Sequence, residues 1–149
     1  MNETSVAREI LRGCVCSRTR MLDRVLTRLF DESLAPLGLR ANQLTVLSLL
    51  ASMEELRAVD VGRFLELDKS TVSRGLALLL ERGWVEERER ASGRGRTLAL
   101  TEEGRGLLHR ALPLWRSAQR EALATLGGES VDTLRTAADS FLRLRAAQA

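Results

Sequence analysis

Leu67–Trp84 reads LDKSTVSRGLALLLERGW, hydroxyl-rich and basic over its first half and leucine-rich over its second. Asp68 stands where a helix N-cap belongs, because a carboxylate there can accept an orphan backbone N–H of the first turn. Gly83 stands where a left-handed residue closes a helix. The spacing therefore predicts one helix from Asp68 to Arg82. Leu76, Leu79 and Leu80 hold its rear on a core, and Lys69, Ser70, Thr71, Ser73 and Arg74 occupy its front. Such a front end is either an ordinary capped surface, since Ser, Thr and Asp favour helix starts anyway, or a surface made to touch something.

The residues that follow choose between these. After Gly83 the period shortens: Trp84–Arg88 and Arg96–Leu100 read as two short strands, and the Gly-rich joint ERASGRG supplies a hairpin. Arg90, Arg94 and Arg96 cluster at its tip. A helix pair followed by a β-hairpin is the plan of a winged helix-turn-helix. In such a motif the second helix enters the DNA major groove with its N-terminal residues against base edges. Short hydroxyls permit close approach, Arg74 can reach guanine or phosphate, and the first-turn N–H groups favour an anion. An arginine-tipped hairpin beside it can reach a minor groove or its phosphates. Lys69, Ser70, Thr71, Ser73, Arg74, Arg90, Arg94 and Arg96 are therefore the candidate DNA-binding residues.

Outward from this core the chain is helical. Leu22, Val25, Leu26, Leu29 and Phe30 recur at helical spacing, so a first helix is predicted from about Ser5 to Leu34, ended by APLG at 35–38. A second runs from about Arg40 to Met53 and a short third from Val59 to Leu65. Thr101 caps a long helix with Glu102 and Glu103 in its first turn, where carboxylates suit the helix dipole. The stripe predicted for it is Leu108, Leu112, Trp115, Ala122 and Leu126, with Pro113 a site of bending. Gly127-Gly128 interrupts the chain before a last helix from about Glu129 to Ala147. The fold class expected is mainly α with a small β-hairpin wing: one domain over 1–149. It has a winged-helix core at 40–101, flanked by helices at 5–35 and 102–147 whose apolar stripes need a partner. A homodimer is the favoured way to bury them.

The chain has 149 residues, 44% apolar, 29% charged and 3% aromatic, with no tyrosine and a net charge of +3. That is enough apolar residue for a core and a balance that tolerates a polyanion without demanding one. No apolar run approaches the roughly 20 residues that span a bilayer, and the N-terminus lacks a secretory pattern, so no membrane partner and a cytoplasmic location are expected.

The stretches LDKSTVSRGLALLLERGWVEERE and GRTLALTEEGRGLL, and more weakly LAPLGLRANQLTVLSLLA, resemble the MarR family of bacterial winged-helix regulators. The resemblance covers most of the chain. It implies a homodimer with interlocked terminal helices, paired winged domains on a pseudo-palindromic operator in double-stranded DNA, and transcriptional control. That control is usually repression, released by a small-molecule effector or by oxidation. By position, Ser70, Thr71, Ser73 and Arg74 fall on the family's reading helix and Arg94 on its wing arginine. Three positions depart from the pattern. Ser92 replaces the wing Asp, Arg57 replaces a Ser or Thr cap so that the third helix start is expected to be less well satisfied, and Glu66 replaces a small turn residue.

Cys14 and Cys16, in RGCVCSRTR, are the only cysteines, too few for a disulfide framework. Inside a continuous helix, residues two apart point to nearly opposite sides, so a bridge between them needs unwinding. Arg18 and Arg20 are near enough in sequence to favour a thiolate at Cys16. The family's hydroperoxide sensors have a reactive cysteine fourteen positions before an aromatic residue, which Cys16 and Phe30 match. The tyrosines that hold that thiol are replaced by Arg20 and Phe30. Inert structural thiols, redox sensing and metal binding stay open in that order, metal last because two thiols and a distant His109 make a poor ligand set. Neither a metal nor a cofactor is expected.

Two further function classes remain. A winged-helix module that binds protein without specific DNA contact is the alternative to a regulator. An enzyme is the poorest fit: one histidine, no phosphate-binding glycine loop and no nucleophile–base pair leave nothing to carry chemistry.

Overall fold

The computed structural model describes residues 2–146 apart from Glu54, Ala91, Ser92 and Arg94. Its helices are α1 (Glu3–Gly13), α2 (Val15–Leu34), α3 (Ala41–Ser52), α4 (Ala58–Leu65), α5 (Lys69–Glu81), α6 (Glu102–Leu126) and α7 (Gly128–Ala146), with a 3₁₀ turn at Ala35–Leu37. Strands β1 (Val85–Glu89) and β2 (Arg96–Leu100) form an antiparallel hairpin between α5 and α6. The mainly helical winged fold is thus the one the sequence predicts. No helix among the described residues is long and apolar enough to cross a membrane.

The single first helix expected over Ser5–Leu34 is instead two helices. Cys14 breaks it, with ψ at 104°, closing α1 through its N–H to the Ile10 carbonyl. The same residue opens α2: its carbonyl accepts from Arg18 N–H at 3.2 Å, and its Sγ accepts from Ser17 N–H at 3.4 Å. A cysteine thus does the work of an N-cap, which periodicity cannot reveal because the apolar spacing continues through the break.

Phe30–Trp115 form one compact unit; α1, the start of α2, the end of α6 and α7 form another. The first contains the helix-turn-helix and the hairpin. Its core gathers Leu34, Leu39, Leu47, Val61, Leu79 and Leu107, all at most 2% exposed, around Trp84, Leu98 and Leu100. Each such aliphatic chain contributes about 1.5–3 kcal/mol by leaving water. Asp31, at the end of α2, fixes the start of α3 by accepting the Ala41 N–H at 2.7 Å. Ser33 donates to the Leu114 carbonyl of α6 at 2.9 Å. Leu98 N–H donates to the Leu56 carbonyl at 2.7 Å, adding a one-residue bridge to the hairpin's edge.

In helix α6 the predicted stripe holds at Ala122 and, half-buried against the core, at Leu108, but not at Leu112 and Trp115. Its buried positions are Gly104, Leu107, Ala111, Ala118 and Ala122, whereas Leu112 and Trp115 are exposed. Small residues and Leu107 face inward, and α6 continues through Pro113. Within the second unit, Ala118, Ala122 and Val131 are buried. Ile10, Leu11, Val15, Met21 and Phe141 keep half or more of their surface in solvent.

Candidate nucleic-acid interface

Helix α5 is anchored on one side only. Val72, Leu76 and Leu79, at helical spacing, are buried, while Lys69, Ser70, Ser73 and Arg74 are exposed and Thr71 is half-buried. Val72, which the sequence reading left out, is the anchor nearest the tip. Its Cγ2 is one of two atoms, with the Leu67 carbonyl oxygen, that would lie 3.2 Å from a Cβ at Gly62. Gly62 therefore lets α4 approach the turn into α5 closely, which sets the angle at which the polar tip is presented.

The turn between the two helices carries strain. Glu66 closes α4 in the left-handed region, φ 52° and ψ 42°, where a non-glycine residue costs about 1–2 kcal/mol. The start of α4 is better satisfied than its Arg57 cap position suggests. Asp60 accepts the Arg57 backbone N–H at 3.0 Å and its guanidinium at 2.8 and 2.9 Å. Half of a capping box is thereby supplied from inside the helix. The guanidinium holds the Asp60 carboxyl at about 2, below its usual 3.8, against the opposing effect of burial.

At the tip of α5 the cap does more than the sequence suggests. Asp68 accepts from Thr71 N–H at 2.9 Å, from the Ser70 hydroxyl at 2.6 Å and from the Thr71 hydroxyl at 2.7 Å. The hydroxyls, then the backbone N–H, hold its carboxyl well below the ordinary carboxylate range. The anion that the first turn was expected to attract is therefore already present as Asp68 itself. Ser70 and Thr71 have committed their O–H donors inward and offer lone pairs outward.

The hairpin pairs Val85 with Leu100, Glu87 with Leu98 and Glu89 with Arg96. Its arginines are held by carboxylates: Arg96 by Glu87, Arg88 by Glu86 (Nε to Oε1 2.7 Å) and Arg90 by Glu55 (3.5 Å). By contrast, no ion pair among the described residues involves Lys69 or Arg74. Arg94 and Ser92 lie outside the described residues. The structure thus brings Lys69, Ser70, Thr71, Ser73 and Arg74 together on one helix tip, with Arg90 and Arg96 on the hairpin of the same unit. The glutamates were missed by reading residue types alone. Strand register was the available signal, since Glu87 and Glu89 share the face of Arg96.

Residues 37–96 match the model of the MarR family. A Mycobacterium tuberculosis transcriptional regulator, MosR, solved in complex with DNA, is 27% identical with a TM-score of 0.75 over 90% of this chain and 97% of that one. The oxidised form of Escherichia coli MarR is 26% identical with a TM-score of 0.70, covering 86% and 93%. The match to the MarR family's model covers 60 of the 149 residues of this chain. Members of the MarR family are transcriptional regulators rather than enzymes. An uncharacterised HTH-type transcriptional regulator of Bacillus subtilis, YwoH, is 30% identical over 80 residues, 54% of this chain. The match spans 58% of that relative's length.

In the cysteine region Cys14 closes α1, and its sulfur accepts the Ser17 N–H. The structure lowers the pKa of the Cys14 thiol, through the Ser17 backbone N–H and then its side chain, with a smaller contribution from the Arg20 charge. Cys14 is half-buried and Cys16 exposed; both are free thiols.

Proposed function

We propose that this chain is a sequence-specific DNA-binding transcriptional regulator. It acts as a cytoplasmic homodimer whose two α5 helices enter successive major grooves of a pseudo-palindromic operator about one helical turn apart. The observation that carries this is the one-sided anchoring of α5. Val72, Leu76 and Leu79 fix the helix while Lys69, Ser73 and Arg74 stand in solvent with no intramolecular charge partner among the described residues. A regulator solved on DNA shares this fold. The exposed Ile10, Leu11, Val15, Met21 and Phe141 are apolar side chains that a second copy would cover.

The regulator represses, and a small ligand or thiol oxidation releases it. In the oxidative route the Cys14 thiolate attacks the distal oxygen of an organic hydroperoxide. The O–O bond breaks, sulfur is oxidised by two electrons to a sulfenate, and the peroxide leaves as the alcohol after taking up a proton. Cys14 is the better nucleophile for this step because Ser17 N–H donates to its sulfur.

The test is footprinting on the DNA upstream of its own gene, across a salt series, with and without hydroperoxide and phenolic or carboxylate ligands. A protected pseudo-palindrome that outlasts scrambled DNA as salt rises is expected. Equal retention of scrambled DNA at every salt concentration refutes sequence-specific regulation.

A further inference from the structure

The hairpin is not the bare positive tip that its arginines suggest. Over 85–100 it carries four arginines against three glutamates. Each described arginine there is matched: Arg96 with Glu87, Arg88 with Glu86, and Arg90 with Glu55 from the segment ahead of α4. Pairing follows from strand geometry. Glu87 faces Leu98 in the ladder, so Arg96 lies diagonally across from it on the same face, within reach of a long side chain. Arg96 keeps 71% of its side chain in solvent even so, and Glu87 40%. The pair is therefore accessible to a competing anion and weak enough for one to break it. The cations of the reading helix, Lys69 and Arg74, carry no such partner among the described residues.

This asymmetry has a consequence for binding. Phosphates attract any exposed arginine without regard to sequence, and that term supplies most non-specific affinity. If the wing arginines were free, they would grip every duplex the protein met. Held by carboxylates, they meet a phosphate only by exchanging one anion for another, with a displaced glutamate left beside a polyanion. That exchange becomes favourable when α5 has seated and has fixed the phosphates at the right place; on mismatched DNA it does not. We propose that Glu87, and Glu55 behind it, are specificity-determining residues of the DNA interface: they hold Arg96 and Arg90 in ion pairs that only a correctly seated duplex displaces. The inference rests on the DNA-binding reading above. Glu87 is a positioning residue, acting through Arg96 rather than by touching DNA.

The experiment compares the full-length wild type with Glu87→Gln for binding to the footprinted operator and to a scrambled duplex, by anisotropy across a salt series. A thermal melt of each protein confirms that both are folded. Glu87→Gln is expected to tighten scrambled binding by up to about fivefold per wing and to steepen its salt dependence by roughly one charge per wing. Operator affinity should change far less, so the ratio of the two falls. Glu129→Gln makes the same charge change in the other unit and should leave that ratio as in the wild type. In an Arg96→Ala background the effect of Glu87→Gln should vanish. An unchanged operator-to-scrambled ratio in Glu87→Gln overturns the proposal, as does an equal loss in Glu129→Gln or persistence of the effect without Arg96. A wild type that binds no duplex even at low salt removes the DNA-binding reading as well.

Discussion

Gly104, in the first turn of α6, lies directly beneath the backbone carbonyl of Trp84, the residue that leads into the hairpin. A Cβ at Gly104 would collide with that carbonyl oxygen and sit 3.0 Å from its carbon. Thr101 clamps the same junction: its hydroxyl donates to the Gly83 carbonyl, and its Oγ1 accepts the Gly104 N–H at 3.0 Å. The glycine of LTEEG is thus the point at which the start of α6 is pressed onto the base of the wing.

Gly104→Ala should therefore destabilise the fold by about 2–3 kcal/mol, since backbone rather than a flexible side chain must move. Gly106, two residues on, would meet only the end of the Arg110 side chain at 3.3 Å. Gly106→Ala should be neutral or mildly stabilising through helix propensity. Urea unfolding of the two variants separates them, and similar midpoints would refute the steric account.

The start of α4 should show a defined acid dependence. Asp60 titrates near 2 in the folded chain and near 3.8 when unperturbed. A lowered folded value means its contribution is complete above about pH 4 and is lost as pH falls through about 2. Asp60→Asn should cost about 1 kcal/mol at neutral pH, with the difference from wild type constant between pH 5 and 7. Melts that still differ fully at pH 2 would contradict this.

The reading tip should favour bases that donate. With their protons committed to Asp68, Ser70 and Thr71 can accept from adenine N6 or cytosine N4 but have nothing to give a phosphate or guanine O6. Operators with N6-methyladenine or N4-methylcytosine at the protected positions should lose affinity by severalfold. That loss should shrink in Ser70→Ala and Thr71→Val. If the methylated operators bind as well as plain ones, the hydroxyls do not read bases in this way.

Arg74 and Arg96 should differ in kind. Arg74→Ala is expected to cost about 1–3 kcal/mol on the operator and little on scrambled DNA, as loss of a base contact does. Arg96→Ala should weaken operator binding and lower the operator's salt slope by about one per wing, while scrambled binding, on which Glu87 holds Arg96, changes little. Interchanged behaviour of the two variants in a filter-binding series would reverse these roles.

Cys14 should react before Cys16. Its thiol, lowered by the Ser17 N–H, should reach half-maximal iodoacetamide labelling at a pH below that of an ordinary cysteine, about 8.5. Hydroperoxide should release DNA from Cys16→Ser but not from Cys14→Ser. Retention of DNA by oxidised Cys16→Ser would remove Cys14 as the trigger.

What the residues dictated by themselves was everything set by local chemistry. Helical spacing, the Asp68 and Thr101 caps, the Gly83 stop and the period change into a glycine-jointed hairpin each act within a few residues, and together they specify the order of elements and the winged fold. What only tertiary structure decided was which groups are spent on one another. The break at Cys14 leaves the apolar spacing undisturbed, so no periodicity marks it. The inward face of α6 combines Leu107 with small residues, because a close backbone approach such as the one at Gly104 leaves no room for bulk there. Asp68 capturing two hydroxyls, and Glu87 and Glu55 holding arginines across strands and loops, depend on distances of a few ångströms between side chains. Those distances exist only after packing has fixed the backbone, and they determine which charges and donors remain for a partner.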